Sequence, residues 1–399
     1  MLEWSVLAAL VASTAPIPSV PAPPAAQKLK HGVQQRLGEE LQTWLRARTS
    51  ELLQGCRLRA KDGTLLFAPD TSGHYRACWT RDFTYMVQYA GDLMDRNEVR
   101  RCIQYLLAAQ RPDGVMPDRV THEGRPVYGP GSQQRPLAPY ALDNNAFMVQ
   151  LVAAYVRRWD DTSLFVDAYP ALAKALAQTP RSPSGLVWND PAQPVCPYGF
   201  TDTVRKTGEL LFCSALFYQA ARDMAWLCRK VGWRQAERYE AWADQIRRAL
   251  VRLWDPRTGM FFAASEDCRQ LDVWGTSYAA WTGLLTETQR RRAALYMIRH
   301  REQLFWRGHV RHLPASQQWH KLFVRVPPGT YQNGAYWTVP LPWVATLLSE
   351  LNATMAEELV LEAVQTFRAE GIYECINRAD GRVPGYVVSA TNVYWFIAP

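Results

Sequence analysis

Apolar residues recur at helical spacing in twelve stretches from Gly32 onward: residues 32–55, 82–94, 97–110, 141–159, 164–179, 205–230, 233–254, 272–285, 287–302, 335–352, 355–370 and 389–397. The connections between them alternate in length. After each even-numbered stretch the link is a few residues, as at Met94–Asn97, Trp159–Leu164, Lys230–Trp233, Leu285–Glu287 and Asn352–Met355. After each odd-numbered stretch it runs to about 15–30 residues, well above the usual connection length. Short links make neighbouring helices antiparallel, so strict alternation gathers the long loops at one end. The pattern predicts an all-α fold, an (α/α)6 toroid of six helical hairpins with one set of helices inside the other. A solenoid is the open-ended alternative, but no fixed sequence period supports one.

Residues 1–27 differ in character. Val6-Leu-Ala-Ala-Leu-Val-Ala is a short apolar run followed by Pro/Ala-rich sequence. It is too short to cross a bilayer, and Glu3 stands where a signal segment carries basic residues. A disordered leader and a signal segment both remain open, and no stable membrane insertion is expected. Residues 28–399 are expected to form one catalytic-sized barrel domain.

Composition changes this picture little. Hydrophobic residues at 48% and charged residues at 21% are ordinary for a globular chain with a large core. The excess is aromatic, with 16 Trp and 18 Tyr. Such rings suit either a flat ligand or a bulky core, and composition does not separate the two. The net charge of +8 is dispersed in pairs such as Arg100-Arg101 and Arg247-Arg248. None makes a basic arm, so no nucleic-acid partner is expected. The 8 Cys form no CxxC pair, and His309, His312 and His320 follow no zinc spacing. No metal or cofactor is expected.

The loop ends carry the unusual residues. The first loop ends Cys78-Trp79-Thr80-Arg81-Asp82. The second holds Asp118-Arg119 and ends Asp143-Asn144-Asn145. The third holds Trp188-Asn189-Asp190 and leads to Asp202, at the hinge before an apolar helix. The fourth ends Asp272-Val273-Trp274. The fifth ends Gln332-Asn333-Gly334-Ala335-Tyr336-Trp337, and the sixth carries Tyr373-Glu374. Each acid taken singly reads as a helix cap. Repeated at one end beside indoles, the same residue types make a sugar-binding wall, with acids and amides for hydroxyls and ring faces for C–H surfaces. Hydrolysis of a glycoside needs, in addition, one carboxylic acid to protonate the leaving oxygen and one carboxylate to activate water or attack.

In motif order these segments resemble the six-hairpin (α/α)6 glycosidases, most closely the alkaline/neutral invertase type. Arg81-Asp82-Phe83 resembles that family's Arg-Asp-Phe, and Gly114-Val115-Met116-Pro117 its Gly-Val-Met-Pro loop. Asp143 resembles an Asp near the start of the next inner helix. Asn333-Gly334-Ala335-Tyr336-Trp337 resembles an Asn-Gly-Gly-x-Trp-Pro element, with Thr338 in place of the Pro. The segment from Asp202 to Glu209 echoes the acid-bearing loop, and Tyr373-Glu374 aligns by order with the second carboxylate. The resemblance implies a carbohydrate substrate, Asp202 as general acid and Glu374 as general base in an inverting reaction. It implies substrate contacts from Trp79, Arg81, Asp82, Asp118, Asp143, Asn144, Trp274, Gln332, Asn333 and Trp337. Trehalases, glucoamylases and mannosylglycerate-type hydrolases share the scaffold, so the likeness bears on chemistry more than on substrate. Two other functions fit the same pattern: a uronide-type hydrolase, for which Arg119, Arg205 and Lys206 would supply a basic pocket, and a carbohydrate-binding protein without turnover.

Overall fold

The computed structural model describes residues 24–132 and 135–399. The first 23 residues of the proposed leader lie outside the described residues. Thirteen helices occur among the described residues: α1 (Pro24–Gly55), α2 (Thr80–Ala90), α3 (Arg96–Leu107), α4 (Asn144–Trp159), α5 (Ser163–Gln178), α6 (Leu211–Lys230), α7 (Ala236–Ala249), α8 (Val273–Trp281), α9 (Glu287–Arg299), the single turn α10 (Arg301–Leu304), α11 (Leu341–Ser349), α12 (Ala353–Glu370) and α13 (Val387–Tyr394). Apart from α10, they answer one for one to the twelve periodic stretches.

Burial follows from the residues each helix carries. On α3 the buried positions are Val99, Cys102, Ile103 and Leu106, the i, i+3, i+4, i+7 stripe of a helix wet on one face. Along α12 the stripe runs Ala356, Leu359, Val360, Ala363, Val364, Phe367. By contrast α4 is buried on all sides from Asn144 to Val156, and α6 over most of its length, as apolar-all-round helices must be. The buried helices α2, α4, α6, α8, α11 and α13 pack in that order, and α13 closes onto α2. They are the inner ring, and α1, α3, α5, α7, α9 and α12 lie outside it. The fold is the (α/α)6 toroid.

The two ends of the ring are built differently. At the short links, three outer helices, α3, α9 and α12, start on capping side chains. Asp95 accepts from Asn97 and Glu98 N–H, Thr286 forms a capping box with Gln289, and Asn352 accepts from Met355 N–H. At the other end the long loops fold into short antiparallel strand pairs, among them β1 (Arg57–Arg59) with β2 (Leu65–Phe67). A three-stranded sheet joins the first two loops through β3 (Ala77–Trp79), β4 (Arg119–Thr121) and β5 (Pro126–Val127). No helix among the described residues is long and apolar enough to cross a membrane.

Candidate active site

Inner-helix starts face the long-loop end, and most of their polar side chains are not caps. Asp272 alone serves α8 as one, accepting from Gly275 N–H. Asp143 occupies the cap position of α4 but makes no capping bond. Its carboxylate turns instead to Arg81, with Nε at 3.0 Å from Oδ2, and Oδ2 also accepts from Gly199 N–H at 2.8 Å. Arg81 Nη2 donates to Asp118 Oδ1 at 2.6 Å and to Asn144 Oδ1 at 3.1 Å. Asp118 takes a second cation through Arg119 Nη1 at 2.7 Å. This network is buried throughout. Position 199 must be glycine, since a Cβ there would lie 1.8 Å from Arg81 Nε.

Above this floor opens a cavity of about 320 Å³, within the size range of small-ligand sites. Trp79, Arg81, Asp82, Asp202, Gln332 and Glu374 all line it, with His74, Tyr75, Arg119, Phe200, Tyr331, Arg382 and Tyr386. Both carboxyls singled out from sequence therefore face one space, although 172 positions separate them (374 − 202).

Asp202 does not open the apolar helix. It ends a 3₁₀ turn over Gly199–Thr201, whereas α6 begins at Leu211. Gln332 clamps this turn: its Oε1 accepts from Thr203 N–H and Oγ1 at 2.8 Å each, and its Nε2 donates to Gly199 O at 3.1 Å. Burial pushes the Asp202 carboxyl up to about 7, against the pull of Arg81. It keeps partial exposure only because it faces the cavity.

Glu374 lies on β6 (Tyr373–Ile376), which pairs with β7 (Gly381–Pro384). Its Oε1 accepts from Tyr75 Oη at 2.9 Å and its Oε2 from Arg382 Nε at 3.1 Å. Burial pushes it up to about 8, opposed chiefly by Arg382. Asp82, in the first turn of α2, accepts from Tyr386 Oη. Burial lifts Asp82 to about 6 against Arg81 and that hydrogen bond. Arg119 lies 5.0 Å from the Trp79 ring centroid and donates to Gly131 O, so it braces the indole and the loop behind it.

Several expected substrate contacts sit elsewhere. Asp118, Asp143 and Asn144 lie beneath Arg81 and reach the cavity only through it. Trp274 and Trp337 are fully buried core residues under Phe200, not stacking walls. Asn333 is occupied by Trp319 N–H and Val326 O. Large rings at loop ends fill space as readily as they face a ligand. Glu209, at the end of the segment that echoes the acid-bearing loop, pairs with Arg252, Ser182 and Ser184 outside the cavity. Tyr75, Arg382 and Tyr386 were not foreseen. Of these Arg382 and Tyr386 share the sixth loop with Glu374, the one signal that pointed to them.

Residues 204–392 match the family model described as the mannosylglycerate hydrolase MGH1-like glycoside hydrolase domain. No functionally curated protein matches the sequence. Among solved structures, the chain is similar to the GH63 mannosylglycerate hydrolase from Thermus thermophilus in complex with glucose. Identity is 18% over 89% of this chain and 100% of that one, with a TM-score of 0.66. The same enzyme with Tris and D-glycerate gives 17% identity over the same shares, with a TM-score of 0.65. A rhamnosidase from Klebsiella oxytoca with rhamnose bound gives 16% identity over 90% of this chain and 64% of that one, with a TM-score of 0.64. These likenesses bear on the fold, and they do not reproduce the invertase-type closeness read from motif order. The toroid has the fold of these glycosidase structures, residues 204–392 match a glycoside hydrolase domain model, and the protein is a glycosidase.

Proposed function

We propose that the protein hydrolyses a small glycoside with inversion, Asp202 acting as general acid and Glu374 as general base. The observation that carries this is the meeting of these two acids, brought by separate loops, in one cavity beside Trp79, Arg81 and Asp82. Burial keeps Asp202 protonated up to about 7, so it has a proton to give the glycosidic oxygen as the C–O bond breaks. Glu374 takes a proton from a water molecule, whose oxygen forms the new bond at the anomeric carbon from the opposite face. The products are a free sugar of inverted configuration and the aglycone alcohol. Asp82, held by Tyr386, and Arg81, held by three buried partners, are fixed donors and acceptors for the hydroxyls of the sugar that is released.

The size of the cavity favours a monosaccharide joined to a short aglycone. The domain match names mannosylglycerate hydrolase, a similar structure holds D-glycerate, and Arg119 and Arg382 line the cavity here. A glycoside of a small hydroxy acid is therefore the leading substrate class. The motif order shared with alkaline/neutral invertases supports sucrose as the second.

The test is turnover of mannosylglycerate, glucosylglycerate and sucrose by wild type, Asp202→Asn and Glu374→Gln, with the anomer of the product read by NMR. Loss of about 10²–10⁴-fold in each variant, the scale of general acid–base catalysis, is the expected result. Near-normal rates in either variant remove that residue from its role, and a product of retained configuration rejects the single-displacement route. Sugar binding by wild type with no product from any substrate favours a carbohydrate-binding protein over an enzyme acting on these compounds.

A further inference from the structure

Both oxygens of Glu374 are held, and by groups of different kinds. Tyr75, from the first long loop, gives a neutral donor to Oε1; Arg382, from the paired strand of the same hairpin, gives a cation to Oε2. The guanidinium also lies over the Tyr331 ring, 4.3 Å from its centroid, a cation–π contact that restricts its tilt. Tyr331 comes from the fifth loop, lines the cavity, and holds a left-handed backbone with φ 39°, a strained setting for a bulky residue. Arg382 thus ties three elements together at the rim: its own hairpin, the fifth loop and the buried acid. Its side chain is 47% exposed while that of Glu374 is 4% exposed. A buried carboxylate is held by a cation that solvent reaches.

We propose that Arg382 is a positioning residue for hydrolysis: braced on Tyr331, its guanidinium fixes the Glu374 carboxylate in the orientation that receives a proton from the attacking water. The inference rests on the reading of Glu374 as general base. It is separate from any contact Arg382 makes with the aglycone.

The charges around Glu374 give this role a measurable sign. The titratable and charged groups facing it are Tyr75, Asp82, Tyr331, Cys375, Arg382 and Tyr386. Arg382 is the cation among them, and Asp82 works in the opposite sense. Without Arg382, Glu374 keeps its proton to higher pH; since it already titrates above Asp202, the form with Asp202 protonated and Glu374 ionised becomes scarcer and the alkaline limb of the profile moves up. An adjacent opposite charge shifts a carboxyl by about 1–3 units; solvent screening of a half-exposed guanidinium places the effect at the low end, about one unit.

The test uses Arg382→Met, which keeps apolar packing on Tyr331, and Arg382→Lys, which keeps charge without the planar fork. The readout is kcat and KM from pH 5 to 10 on whichever of mannosylglycerate, glucosylglycerate or sucrose the wild type turns over. With Asp202 near 7 and Glu374 near 8, the alkaline limb of kcat for R382M is expected to move up about one unit while the acid limb stays. The rate at neutral pH falls about tenfold and converges on the wild-type rate at alkaline pH; R382K lies between. An unmoved alkaline limb, with KM alone raised, assigns Arg382 to substrate contact and overturns the proposal. E374Q separates the two failures: if it is inactive and R382M is unshifted, only the positioning role is lost. If E374Q turns over normally, the base assignment falls and takes this role with it.

Melting temperature against pH reads the same contact without any substrate. A carboxyl raised to about 8 in the folded chain favours the folded state most fully below the unfolded value. That contribution is lost as pH rises to the folded value. In R382M the decline should continue about one unit higher, and in E374Q the share due to this group should vanish. Identical curves for R382M and wild type reject the inference.

Discussion

Arg81→Met tests whether the floor of the cavity is held by charge. In the folded protein the Arg81 side chain is 4% exposed, and the Asp118 and Asp143 side chains are each 0% exposed. The substitution leaves Asp118 with Arg119, and Asp143 with the Gly199 N–H but no cation. Removing one partner of a buried ion pair costs about 3–5 kcal/mol, because the other charge stays buried and uncompensated. Total stability of a folded chain is about 5–15 kcal/mol, so R81M should lie near the edge of folding at neutral pH. Urea denaturation at pH 7.5 measures the loss. Asp143→Asn added to R81M removes the stranded charge and should recover part of the loss, which keeps the test decisive even if R81M alone does not fold. A loss below about 1 kcal/mol, the size of an exposed pair, would refute the reasoning.

Three further outcomes follow from the site and the core. With Asp202 near 7 and Glu374 near 8, rate against pH should be a bell with its maximum between those values. It declines below as Glu374 gains its proton and above as Asp202 loses its own; a maximum below pH 6 would contradict the assignment. Trp79→Ala should raise KM with little change in melting temperature, whereas Trp337→Ala should cost about 3–5 kcal/mol of stability; calorimetry beside kinetics distinguishes them, and the reverse pattern would return Trp337 to the substrate wall. All 8 cysteines are buried, so an aromatic disulfide reagent should titrate none in the native protein and all after denaturation, and rapid native labelling would show an opening that this packing does not provide.

The helices were legible because their periodicity reports burial directly. Their starts on the long-loop side were not. The stretch expected from residue 205 begins at Leu211, and the one from 335 at Leu341, because the intervening backbone pairs elsewhere. Tyr336 bridges to Ile376, and Trp337 to Val310. Local pattern cannot anticipate hydrogen bonds claimed by distant strands. The same limit governs the site. Glu374 stood out by its place in the motif order, whereas its partner Tyr75 lies 299 positions away in a segment without distinguishing chemistry. Trp79 and Trp337 look alike in sequence. Packing within the closed ring decides that one faces the cavity and the other, against Phe200 and Trp274, the core.

That closure joins α13 to α2, and with it the last long loop to the first. Trp79, Arg81 and Asp82 are made early on the ribosome; Glu374 and Tyr386 arrive with the sixth hairpin. On the assignment proposed above, a chain terminated before residue 374 has Trp79, Arg81 and Asp82 but lacks the base. On that assignment turnover reports the finished circle, and fragments released during synthesis should be hydrolytically silent.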